Sequence, residues 1–176
     1  MSGRPGVACF LGIAAGVLAW VGMARAQIIE PAPVPGPVGL SVGNESRIAL
    51  MRAERWLERH KDGAGEEVPS FSPDGEDEGE IERLQPMLLG DFCCLREGEN
   101  ACEAWGRLAA GLSRPGGDMV YLDGTFVPWK NAILHELVVS QRPDDMGGGW
   151  WGNGEEDALR STRAAYATLL FLLGLD

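Results

Sequence analysis

Four stretches of this chain repeat apolar residues at helical spacing. In the first, Ala49, Leu50, Ala53, Trp56 and Leu57 share one stripe, while Arg47, Arg52, Glu54, Glu58 and Arg59 lie largely elsewhere. That pattern predicts a helix capped by Asn44 or Ser46 and running to about Lys61, ended by Asp62-Gly63. The second places Cys102, Trp105, Leu108, Ala109 and Leu112 on one face, stopped by Ser113-Arg114-Pro115-Gly116-Gly117. In the third, Pro128 suits a first helical turn, and Trp129, Ile133 and Leu137 follow at every fourth position. The fourth spans 157–173 and ends Leu169-Leu170-Phe171-Leu172-Leu173, apolar on every side, which implies burial among other helices. A weaker apolar run over 84–95 contains Pro86 and Gly90 and reads as a short or broken helix.

Between these stripes the residues favour turns. Asp123-Gly124, flanked by Met119 to Leu122 and Thr125-Phe126, predicts a small hairpin or ordered loop. The third helix ends in Gln141, then Arg142-Pro143-Asp144-Asp145-Met146-Gly147-Gly148-Gly149-Trp150-Trp151 leads to the fourth. That order describes two helices joined by a Gly/Trp corner. Because Trp150 and Trp151 are adjacent in a glycine-rich loop, one indole is expected to stay exposed and offer a binding edge. Over 62–82, eight acids follow Asp62 (Glu66, Glu67, Asp74, Glu76, Asp77, Glu78, Glu80, Glu82) with no base among them. A run that repels itself reads as a solvated loop.

The ends of the chain add a destination. Arg4, the apolar stretch Val7 to Met23 and Ala24-Arg25-Ala26 have the pattern of a secretory signal peptide over 1–26. Residues 27–43 form a linker in which Pro31, Pro33, Pro35 and Pro37 impose an extended spacer, leaving 44–176 as one helical domain. The expected location is therefore secreted or periplasmic, with a membrane partner only if the leader stays uncleaved. The whole chain carries 15 bases against 26 acids, a net −11. Loss of Arg4 and Arg25 with the leader leaves 13 bases and a net −13, a charge repelled by nucleic acid. Export permits a disulfide between Cys102 and either Cys93 or Cys94, while inert buried thiols are the plain alternative. No histidine or cysteine spacing indicates a metal.

Two segments carry a resemblance. Trp56-Leu57-Glu58-Arg59-His60-Lys61-Asp62-Gly63 resembles the helix end Trp-Leu-x-x-His-Gln…Asp-Gly of the prenyltransferase/squalene-cyclase repeat, with Lys61 where that repeat has Gln. Gln141, then Gly149-Trp150, then Ser161-Thr162-Arg163-Ala164-Ala165 is similar to the same family's Gln…Gly-x-Trp turn into a Ser/Thr-Ala helix, across a longer gap. The resemblance implies an all-α fold of helical hairpins, part of an α/α toroid, carrying an acidic loop and a small hairpin. With two to three hairpins the array is too short to close, so it implies a degenerate member whose open ends need a protein partner or self-association.

The family's chemistry does not carry over by residue. Its cyclases use an Asp-x-Asp-Asp acid at an apolar cavity, and the nearest segment here is Asp74-Gly75-Glu76-Asp77 within the acidic run. The zinc set of the protein prenyltransferases has no counterpart, and neither Cys93-Cys94 nor Cys102 stands in a thioester motif. Asp74, Glu76 and Glu78 are similar to a calcium loop, but Gln85 occupies its twelfth position, leaving only nonspecific calcium binding by the acidic loop. The expected function is an exported, non-catalytic helical repeat-like domain for binding or assembly, with Gln141, Trp150 and Trp151 as candidate binding residues. A terpene cyclase- or prenyltransferase-like enzyme or fragment, and an acidic calcium- or polysaccharide-binding envelope protein, are the alternatives.

Overall fold

The computed structural model describes residues 40–60, 69–72, 77–114 and 117–175, so the predicted leader and its proline spacer lie outside the described residues. The architecture is mostly helical, with two small antiparallel strand pairs. Helix α1 (Leu40–Arg59) is followed by the short α2 (Glu78–Leu84), which runs into a 3-10 turn over Gln85–Leu89. Next come α3 (Ala101–Ser113), the hairpin β1 (Met119–Leu122) and β2 (Thr125–Pro128), and α4 (Trp129–Ser140). The pair β3 (Arg142–Pro143) and β4 (Gly149–Trp150) then turns the chain into α5 (Glu155–Leu173).

The apolar stripes become the core. Ala53, Trp105, Leu108, Trp129, Ile133, Leu137 and Leu169 are all buried, each large one contributing about 1.5–3 kcal/mol over an exposed position. Helix α5 packs chiefly against α3 and α1, and α4 lies on α1 and α3. Small residues make those approaches possible: Ala49 and Ala53 on α1, Ala104 and Ala109 on α3, Ala164 and Ala165 on α5 are buried. The Asp123-Gly124 turn holds both residues at positive φ, 45° and 84°, the turn whose twist matches a two-residue hairpin.

Three expectations need correction. Helix α1 already includes Leu40–Arg59, so residues 40–43 are helical rather than linker. Ser46 caps nothing: it is buried mid-helix, and its hydroxyl donates back to the Val42 carbonyl at 2.7 Å. The acidic stretch is not one loop. Residues 61–68 and 73–76 lie outside the described residues, but Asp77 caps α2 through the Gly79 N–H, and Glu78, Glu80 and Glu82 stand on that helix. Of these acids Glu80 meets cations, Arg83 of the same helix and Arg96 and Arg107 from farther along the chain.

Candidate functional site

The corner between α4 and α5 is where three candidate residues meet. Consecutive strand residues point to opposite faces, and that alternation separates the two indoles. Trp150, in β4, lies partly buried over α1, its ring 6.5 Å from that of Trp56 and covered by the Arg142 guanidinium at 5.1 Å. His60 stacks on the Trp56 ring at 3.9 Å, which gives a pile of four planar groups. Trp151 turns the other way and is 1% exposed; its indole N–H donates to the Leu137 carbonyl at 2.8 Å and its backbone N–H to the Thr162 hydroxyl at 3.1 Å. The indole expected in solvent is thus absent, because β3 and β4 pair and fix both rings against helices.

Gln141 also reaches inward. Its side-chain amide donates to the Ala49 carbonyl of α1 at 2.8 Å, rather than to its own helix end. Gly149 leaves room for it, since a Cβ there would stand 2.5 Å from the Gln141 amide carbon. Asp144 organises the loop between: its carboxylate accepts from the N–H groups of Met146 at 2.9 Å and Gly148 at 2.7 Å, and pairs with Arg59 of α1. Burial alone would push the Asp144 carboxyl up, but those N–H donors and Arg59 hold it below its usual value.

A second cluster ties the starts of α3 and α5 together. Asn100 caps α3, accepting from the N–H groups of Cys102 at 2.9 Å and Glu103 at 3.2 Å. Its amide donates to Asp157 at 2.8 Å and to the Ser161 hydroxyl at 2.7 Å, and Ser161 donates to the other Asp157 oxygen at 2.9 Å. Beside this knot opens a cleft of about 280 Å³ whose walls include Phe92, Trp105, Trp151 and Cys102. The serine is next to a carboxylate, as a nucleophile would be, yet it is 1% exposed and its lone pair and proton are both engaged. Cys102 is buried, and that burial, with Asp157 and Glu103 near, pushes its thiol up to about 12, far from thiolate. Cys93 is exposed and Cys94 partly so; the three cysteines among the described residues are free thiols, none bonded to another, and burial raises Cys94 as well.

Under α2 lies a lattice of two acids and three arginines. Arg83 bonds Glu99 at 2.8 and 2.9 Å and Glu80 at 2.6 Å; Arg107 reaches Glu80 at 2.9 Å and also Glu99; Arg96 reaches Glu80 at 3.1 Å. The Arg83 hydrogen bonds hold the Glu99 carboxyl down at about 2 and lower Glu80 as well. This lattice escapes sequence reading because Glu80 and its partner Arg107 are far apart in the chain. Asn100, Asp157 and Ser161 were missed as well, although an Asn just ahead of the second stripe is a capping signal and Asp157 and Ser161 share a face at i, i+4. Among the described residues no group of three or more His, Cys, Asp or Glu side chains is placed to hold a metal, and no helix is long and apolar enough to cross a membrane. Asp74 and Glu76 of the calcium-like segment lie outside the described residues. No family model, no curated protein and no solved structure matches this chain.

Proposed function

We propose that this chain is an exported, non-catalytic helical domain whose role is binding or assembly. One observation carries the reading: the polar clusters beside α3 and α5 and under α2 are spent on internal bonds. Ser161 and Asp157 knot α5 to the cap of α3, Cys102 is a buried neutral thiol, Glu80 and Glu99 neutralise arginines, and Asp77 caps α2. What remains for a partner is surface. Ile48, Met51, Tyr121, Phe126 and Met146 are each at least half exposed. Export rests on the Arg4, apolar and Ala24-Arg25-Ala26 pattern.

Within this reading, α4, the corner and α5 form one helical hairpin of the toroid kind, in a piece too short to close. Its support is the way Gln141, Gly149 and Trp151 lock the turn. The test is to express the tagged full chain, fractionate the cells, sequence its N-terminus and cross-link it in place. The expected result is a chain beginning at Gln27 in the envelope or medium, cross-linked to protein. Recovery in the cytoplasm with 1–26 retained and no adduct would reject the reading.

A further inference from the structure

Four asparagines stand in this chain, and the fold sets one of them apart. Asn44 and Asn131 lie inside α1 and α4, where the helical backbone turns the next nitrogen away from the side-chain carbon. Asn100 is 7% exposed, and its amide is held by Asp157 and Ser161. Glu45, Ala101 and Ala132 follow these three, and each brings a Cβ beside its backbone nitrogen. Asn153 lies outside every helix and strand, is exposed, and is followed by Gly154, which is exposed as well. Among the described residues neither the Asn153 side chain nor the Gly154 N–H has a hydrogen-bond partner. A Cβ built on Gly154 would meet nothing within 4 Å, so its nitrogen is open to approach.

In that setting an asparagine reacts with its own chain. The Gly154 nitrogen and the side-chain carbonyl carbon of Asn153 are two reactants on one short tether, so their encounter is unimolecular. We propose that Asn153 is a site of spontaneous deamidation, with water as the only co-reactant. The Gly154 nitrogen bonds to Cγ of Asn153 and its proton passes to Nδ2. The Cγ–Nδ2 bond breaks, ammonia leaves, and a cyclic imide (succinimide) remains. Water then opens the ring. Attack at Cγ breaks the new bond and leaves aspartate. Attack at the backbone carbonyl carbon breaks the old peptide bond and leaves isoaspartate, with the chain running through Cγ. Each product carries a carboxyl in exchange for the amide, no oxidant or reductant is needed, and the reaction proceeds whatever the chain binds.

The two products differ in what they do to the fold. Gly152, at φ 129°, is pressed on α5, since a Cβ there would stand 3.1 Å from the Ala158 Cα. Trp151 before it is locked to Leu137 and Thr162. Only Asn153 and Gly154 link that anchor to the start of α5 at Glu155. Isoaspartate adds a methylene to this short link. The first turn of α5 carries Asp157, whose carboxylate accepts from the Asn100 amide at 2.8 Å and the Ser161 hydroxyl at 2.9 Å. The lengthened link therefore loosens the knot between α3 and α5. Aspartate leaves the backbone length unchanged. It adds a charge where the helix dipole favours an anion but Glu155, Glu156 and Asp157 already crowd the turn, so the two effects oppose each other.

Peptide mapping by mass spectrometry of the full chain, aged in neutral buffer, reads the reaction as a gain of about 1 Da at Asn153. Fragmentation that distinguishes isoaspartate should find both products there and none at Asn44, Asn100 or Asn131. Asn153→Gln and Gly154→Ala, each at an exposed position, should lose most of the conversion, and far-UV circular dichroism checks that both fold. In the isoaspartyl chain, separated by chromatography, hydrogen exchange over 158–161 should quicken by roughly fivefold or more, whereas Asn153→Asp should leave it unchanged. An Asn153 that stays intact in the folded chain overturns the proposal, most plainly where the urea-unfolded chain converts. Equal conversion at the other asparagines overturns it too, since that marks passage through the unfolded state. Quickened exchange in Asn153→Asp, or none in the isoaspartyl chain, overturns the role given to the added methylene.

Discussion

At the scale of single residues, Gly149 and Gln141 are two halves of one device. The glycine has no side chain because the Gln141 amide occupies that space, and the amide sits there in order to reach Ala49 across the helix boundary. Gly149→Ala therefore forces the amide away, costing about 1–3 kcal/mol by overpacking. Gln141→Ala alone removes one hydrogen bond, worth about 0.5–1.5 kcal/mol, and some packing. With the amide gone, the added methyl meets open space, so the double variant should be more stable than the sum of the singles by about 1 kcal/mol or more. Urea midpoints of the four proteins measure the cycle. Strict additivity would mean that the two residues do not share this space.

At the scale of elements, α2 shows how a helix hides inside an acidic run. Locally, Glu78, Glu80 and Glu82 look like self-repulsion, and the sequence offers no base before Arg83. In the fold, Glu80 meets Arg83, Arg96 and Arg107, and Ile81 and Leu84 go into the core. Pairing across the chain supplies what the local pattern lacks. The stripes of α3 and α4 were legible because each helix buries its own contiguous apolar face, and the hairpin because Asp123-Gly124 satisfies a backbone demand by itself. The same lattice sets a pH dependence. Glu99 is held at about 2 against an ordinary 4.5, and Glu80 is also lowered. A carboxyl lowered in the folded state stabilises above its unfolded value and stops doing so as pH falls through its folded value. Stability should therefore decline between about pH 5 and pH 2, and Glu99→Gln should flatten part of that decline while lowering stability at neutral pH. Thermal melts across that range decide it, and an unchanged slope in the variant would remove Glu99 from the account.

At the scale of the molecule, the question is what holds α1, the helix farthest in sequence from its partners. The stripe of Ala49, Ala53 and Trp56 told which face it buries, but nothing in the sequence told against what. The answer is α4, α5 and the corner between them, through three links that converge on α1: Gln141 to Ala49, Trp150 to Trp56, and Asp144 to Arg59. The sequence pointed to Gln141, Trp150 and Trp151 as a group and placed them on an open edge, because a run of glycines gives no sign of the strand pair that closes it. Helices α2 and α3 have their own mutual packing and the arginine lattice, and their main contacts are with each other, α4 and α5 rather than with the corner strands. Loosening the corner should then release α1 before the rest. Gln141→Leu keeps most of the side-chain volume and removes the donor to Ala49. In native-state hydrogen exchange it is expected to speed the α1 amides by about fivefold or more, equivalent to about 1 kcal/mol, while leaving α3 nearly as protected as before. Equal acceleration in α1 and α3 would show instead that the four long helices open as a single unit, and that the corner stabilises the whole molecule rather than fastening one helix to it.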